Sequence, residues 1–222
     1  MASHAAFFYG TLMAAPVLYR VIWGQPSPPT DAHASLLTFA PAILHGHQRH
    51  RVCGADYPAV VPASSDASVG TATPCFLSIQ FSPFLRTGKA GLQLQTCVCA
   101  NKTPSCLQVR GTLVTGLTDA DMWRLDIFEG CEYTRNPVRV HVFKPSSQPF
   151  SSQSVQAAGE EGEEVAAETY IWVGPKSDLE SQEWDFDEFV REKMGQWAGT
   201  GEGRDPGFEG RQSIRGTAPF ST

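Results

Sequence analysis

Val138, Val140 and Val142 alternate with Arg139, His141 and Phe143. Strand side chains point to opposite faces at a period of two, so this segment reads as a half-buried strand. The run Thr169-Tyr170-Ile171-Trp172-Val173, rich in β-branched and aromatic residues, reads as another. Thr112–Val114 is a third. Ala5–Phe8 is a short apolar run that stops at Gly10, as a buried strand feeding a tight turn would. Ala42–Leu44 begins a further strand region, continuing into the histidine- and arginine-rich stretch His45–Arg51. Tyr57-Pro58-Ala59-Val60-Val61-Pro62 is extended, because each proline biases its predecessor away from the helix.

Helices are signalled between these strands. Pro16 suits the first turn of a helix running towards Trp23. Thr118-Asp119-Ala120-Asp121 carries a capping hydroxyl followed by early acids. Met122, Leu125 and Phe128 then form an apolar stripe, and Gly130 is a natural stop. Phe186, Phe189, Val190, Met194 and Trp197 recur at helical spacing and predict one amphipathic helix.

Composition narrows the classes. The 222 residues suit one decorated domain, and 41% hydrophobic with 18% charged residues is enough for a packed core. The net charge of -6 comes with no basic patch, so a nucleic-acid partner is not expected. No apolar run is long enough to span a bilayer, so no membrane partner is expected. The first residues lack a basic region followed by a long apolar one, and a cytoplasmic protein is the expectation. Oligomeric state is not legible.

Six cysteines occur, at positions 53, 75, 97, 99, 106 and 131, and without a secretory signal they read as free thiols. Cys97-x-Cys99 with Cys106 lacks paired zinc-ligand spacing. His45-x-His47-x-x-His50 lacks a carboxylate at a ligand spacing and reads as solvated histidines. No metal and no cofactor are expected. There is no GxSxG elbow, Walker loop or GxGxxG motif.

Three segments stand apart. Lys144–Val165 is rich in Ser, Gln, Gly and Glu and reads as a solvated excursion. From Ala198 to Thr222 the chain is Gly-rich and polar, as a disordered tail is. No acidic residue occurs between Asp66 and Asp119. Within that gap, Thr71–Leu107 is either a genuine insertion or retained intron sequence. Excising residues 70–108 would join Val69 smoothly to Val109.

Two places could carry chemistry. Phe8-Tyr9-Gly10-Thr11-Leu12 ends a strand in a glycine turn, which exposes successive backbone N–H groups. These can bind a carboxylate or polarise a carbonyl, or the segment is an ordinary turn. Glu129 follows the apolar Phe128 and precedes the helix-stopping Gly130. Desolvation there would raise its pKa and make it a better base near neutrality, or it is an exposed helix-end carboxylate. Asp126, three residues earlier, either adds a like charge or pairs locally. Arg135 could pair with Glu129 or Glu132, bind a substrate carboxylate, or make a structural salt bridge.

Taken in order, several motifs resemble the γ-glutamylcyclotransferase-like (AIG2-like) family. They are Phe8-Tyr-Gly-Thr-Leu12, Tyr57-Pro-Ala-Val-Val-Pro62, Val109-x-Gly-Thr-Leu-Val114, Leu125-Asp-x-Phe-Glu-Gly130, Glu132-Tyr-x-Arg135, Tyr170-Ile-Trp172 and Glu183-Trp-Asp185. The resemblance covers Phe7 to Trp197, apart from Thr71–Leu107 and Lys144–Val165. It implies an α+β fold, a mixed β-barrel with flanking helices, over a domain of residues 5–197. It also implies a substrate loop at Tyr9, Gly10, Thr11 and Leu12, extended by Met13 and Ala14, with Glu129 as general acid/base. The implied reaction converts a small γ-glutamyl amine or amide to 5-oxoproline. A non-catalytic ligand-binding protein on the same barrel, or another amine- or amide-processing enzyme, are the alternatives.

Overall fold

A computed structural model describes residues 3–63, 107–144 and 160–200. The Thr71–Cys106 part of the acid-free segment, four of the six cysteines, and residues 201–222 lie outside the described residues.

Five strands close into a barrel in the order β1-β5-β2-β6-β7. They are β1 (His4–Phe8), β2 (Thr38–His45), β5 (Gln108–Leu117), β6 (Tyr133–Phe143) and β7 (Glu161–Trp172). Two further strands, β3 (His47–Arg51) and β4 (Pro58–Pro62), pair as a separate antiparallel ribbon. The barrel is mixed: neighbours run antiparallel, except that β1 meets β7 in parallel at Ala6 and Glu168.

The helices are α1 (Ala15–Trp23), α2 (Asp31–Ala34), α3 (Asp119–Glu129), α4 (Phe186–Glu192) and α5 (Met194–Trp197). Two apolar clusters follow from this arrangement. Phe7, Ala42, Leu44, Val109, Leu113, Val140, Ala167 and Ile171, drawn from all five strands, pack inside the barrel. Ala6 and Phe8 point the other way. They join Leu18 and Ile22 of α1, Leu125 and Phe128 of α3, Phe189 of α4 and Trp197 of α5 in a second core. Strand β1 is therefore covered on both faces, which is why it reads as an apolar run rather than as an alternation.

The start and stop signals of α3 hold. The Thr118 hydroxyl accepts from the Asp121 N–H, and the Asp121 carboxylate accepts from the Thr118 N–H, a reciprocal capping box. Gly130, at φ 73°, ends the helix in a conformation that side-chain-bearing residues rarely adopt.

Elsewhere the boundaries move. The expected strand region from Ala42 through Arg51 is two strands in two sheets, separated at Gly46, and β2 begins earlier, at Thr38. The single helix expected from Phe186 to Trp197 is two, broken at Lys193, whose φ of -123° is not helical. All five residues of its apolar stripe still contact the helix-side core. Residues Glu161–Val165, expected in a solvated excursion, form the first half of β7 opposite β6, although mostly exposed. Ala198, expected in the tail, is buried.

The capping box gives a direct test. Thr118→Ala should destabilise the protein by about 1 kcal/mol in urea titration, whereas Thr118→Ser, which retains the acceptor, should stay close to the parent.

Candidate active site

The chain leaves β1 at Phe8 and enters one 3-10 turn, Thr11–Met13. The amides of Met13 and Ala14 donate to the carbonyls of Gly10 and Thr11, at 2.9 and 3.1 Å. Those of Thr11 and Leu12 begin the turn, ahead of its own hydrogen bonds, as the leading N–H groups of any helical turn do. Gly10 is required here by close approach rather than by its dihedrals. A Cβ at this position would lie 2.7 and 2.8 Å from the Pro58 ring, so the loop rests directly on the start of β4.

Residues Phe7 to Leu12 line a small recess that opens to solvent. Glu129, half-buried at the last position of α3, lines the same recess. The loop and the carboxylate singled out from the sequence thus meet across one cavity. Met13 and Ala14 do not line it. Ala14 caps α1, and Met13 borders a second cavity with Arg49, Arg110 and Trp184.

Three tyrosines complete the wall: Tyr57, Tyr133 and Tyr170. Each lies in a motif named above, yet none was a site candidate, because nothing local to these tyrosines tells which of them will border a cavity. The Tyr133 hydroxyl donates to the Pro58 carbonyl at 2.9 Å. The Tyr170 hydroxyl donates to Asp126 Oδ1 at 2.9 Å, and the Tyr9 hydroxyl donates to the Tyr170 carbonyl.

Burial raises the pKa of the Tyr170 phenol, and the negative charge of Glu129 and the contact with Asp126 raise it further. Tyr170 is therefore neutral at physiological pH and keeps its proton for Asp126. Tyr170 and Glu129 line the same recess, close enough for the carboxylate charge to act on the phenol.

Asp126 is a paired group rather than a bare like charge beside Glu129. Arg135 Nε lies 2.9 Å from Asp126 Oδ1, and its Nη2 donates to Oδ2 at 3.2 Å, a two-pronged contact. The other arm of Arg135 donates to Glu168 at 2.8 Å. Burial disfavours the guanidinium, but the charges of Asp126 and Glu168 outweigh it and hold the pKa above the ordinary arginine value. Arg135 thus makes the structural salt bridge among its open alternatives. On the loop's far side, Arg49 Nη1 donates to the Tyr9 carbonyl at 3.0 Å, and Nη2 donates to Glu183 at 2.8 Å.

Of the His45–His50 stretch, His47 and His50 turn to different backbone partners. His47 Nδ1 contacts the His45 carbonyl, and His50 Nδ1 contacts that of Glu180. No helix among the described residues is long and apolar enough to cross a membrane.

No family model matches the chain. Protein AIG2 B of Arabidopsis thaliana is 32% identical over 192 residues, covering 86% of this chain and 73% of that protein. Protein AIG2 C of the same plant is 25% identical over 187 residues, covering 84% and 72%. A solution structure from Arabidopsis thaliana matches with a TM-score of 0.45 at 22% identity, over 90% of this chain and 80% of that one. By its identity to Protein AIG2 B over most of both lengths, the chain belongs to the AIG2-like family.

Proposed function

We propose that this protein is a γ-glutamylcyclotransferase-like enzyme that cyclises a γ-glutamyl amine or amide to 5-oxoproline and releases the amine. The observation that carries this reading is the meeting of Glu129 and the Tyr9–Leu12 loop around one recess.

A γ-glutamyl amide contains its own nucleophile, the α-amino group. Attack on the γ-carbonyl closes a five-membered ring, and the bond to the amine nitrogen then breaks. Folding the substrate into this pose can contribute about 7–11 kcal/mol through orientation. Glu129 takes a proton from the α-ammonium, which frees the lone pair for attack. The backbone N–H groups of the Tyr9–Leu12 loop stabilise the oxyanion as the carbonyl becomes tetrahedral. Glu129 then passes its proton to the departing nitrogen. The second proton shed by the ring nitrogen leaves with the released amine, so protons balance. Tyr170, held neutral, and the Asp126–Arg135 pair behind it keep the wall beside Glu129 in one arrangement.

Release of 5-oxoproline from γ-glutamyl amino acids, γ-glutamyl-ε-lysine and glutathione tests the reading. Glu129→Gln should lower kcat by at least about 100-fold while leaving the circular dichroism spectrum unchanged. Full turnover by a folded Gln variant would remove Glu129 from the mechanism. Binding of these compounds by the parent without any product would replace the enzyme with a binding protein. Gly10→Ala should push the loop off Pro58, lowering kcat/KM and costing about 1–3 kcal/mol of stability by overpacking. Steady-state kinetics and urea titration measure the two effects.

A further inference from the structure

His45 from the end of β2, His141 from β6 and Glu161 from the start of β7 converge on the outside of the barrel. Each offers one ligand atom, and these atoms all lie within 4.8 Å of one another. The placement follows from the strand registers. Ala42 and Leu44 face the barrel interior, so Ile43 and His45 face out. His141 is paired directly with Ile43 and shares that outer face. Glu161 lies opposite Phe143, two residues beyond His141, where the β6–β7 register shifts.

His45 Nε2 is 3.0 Å from Glu161 Oε2. The His45 and His141 rings meet edge to face, 5.1 Å between centroids. An ion pair would need only His45 and Glu161. His141 adds a third potential donor, so that two imidazoles and one carboxylate are offered by three adjacent strands.

We propose that this trio binds a divalent transition-metal ion of the zinc class. Nitrogen and oxygen donors of this kind suit zinc at about 2.0–2.2 Å, which needs donors about 3.3–3.5 Å apart in a tetrahedron. His45 and Glu161 are both over two-fifths exposed, so an ion can reach them from solvent and complete its shell with water. The site is separate from the active-site recess. Tyr133, which lines the recess, is eight residues before His141 on β6, roughly 26 Å away at the rise of a strand. The ion's role is that of a clasp across β2, β6 and β7, at the end of the barrel where β6 leaves and β7 returns.

The test uses the untagged 222-residue chain, freed of metal and titrated with Co²⁺ as a spectroscopic probe. The expected result is one equivalent bound, with the visible d–d bands of a tetrahedral nitrogen and oxygen site, no thiolate charge-transfer absorption and a rise in Tm. His141→Ala and, separately, Glu161→Gln should each weaken binding by about tenfold or more and abolish the rise in Tm. Using two variants keeps the test open should one of them fold poorly. Unchanged affinity in either folded variant overturns the proposal. So does thiolate absorption, which would place the ion on the cysteines, or the absence of saturable binding.

Discussion

Closure of the barrel through β1 is the constraint on which the rest depends. This five-residue strand pairs antiparallel with β5 along its length and meets β7 in parallel at one position, Ala6 with Glu168. So short a seam gains support from outside the ladder. The Thr169 hydroxyl donates to the Phe7 carbonyl at 2.7 Å, with Thr169 wholly buried. The side chains of Ala6, Phe7 and Phe8 are almost fully removed from water. Burial of each phenylalanine is worth about 1.5–3 kcal/mol, so β1 is held chiefly by packing on both faces. The recess-lining loop begins at the next residue and inherits its position from that packing.

The same economy governs the opposite wall. Glu129 is the last residue of α3, and the helix is fixed at both ends, by the capping box at Thr118 and by Gly130. Between those ends, Asp126 is tied to β6 through Arg135 and to β7 through Tyr170. Removing one partner would leave a partly buried charge unsatisfied, so the network fixes where α3 can sit more than it adds net stability. For the role proposed for Glu129 such restraint matters, because small errors in the placement of an acid/base are costly in rate.

How much of this was legible in the sequence depends on how local each signal is. The α3 cap and stop, the first-turn proline of α1 and the alternation in β6 are set by neighbours along the chain, and all three hold. Strand ends were misplaced where pairing decides them. Residues Glu161–Val165 are polar and mostly exposed, yet they are strand because β6 supplies hydrogen-bonding partners. Gly46 marks the break between strands of two different sheets, but nothing in the polar His47–Arg51 run tells which sheet it joins. Of the candidate site, the glycine turn and Glu129 were singled out because a family resemblance joined them, and both line the recess. Tyr57, Tyr133 and Tyr170 were not, since their shared wall exists only once the β4 ribbon lies against the ends of β6 and β7.

The hairpin of β6 and β7 connects these themes. One end pairs Tyr133 with Trp172 beside the recess, and the other pairs Phe143 with Glu161 beside the histidines. Arg135 and Glu168 bind the two strands near the first end; Arg139 with Glu164 and Lys144 with Glu160 do so towards the second. The outer pairs are exposed, and pairs of that kind contribute little individually. The partly buried Arg135 contact is therefore the stronger tie, and the recess end of the hairpin is the better restrained. A metal clasp at the opposite end would restrain the strands where their ion pairs are weakest, without touching the residues that form the recess.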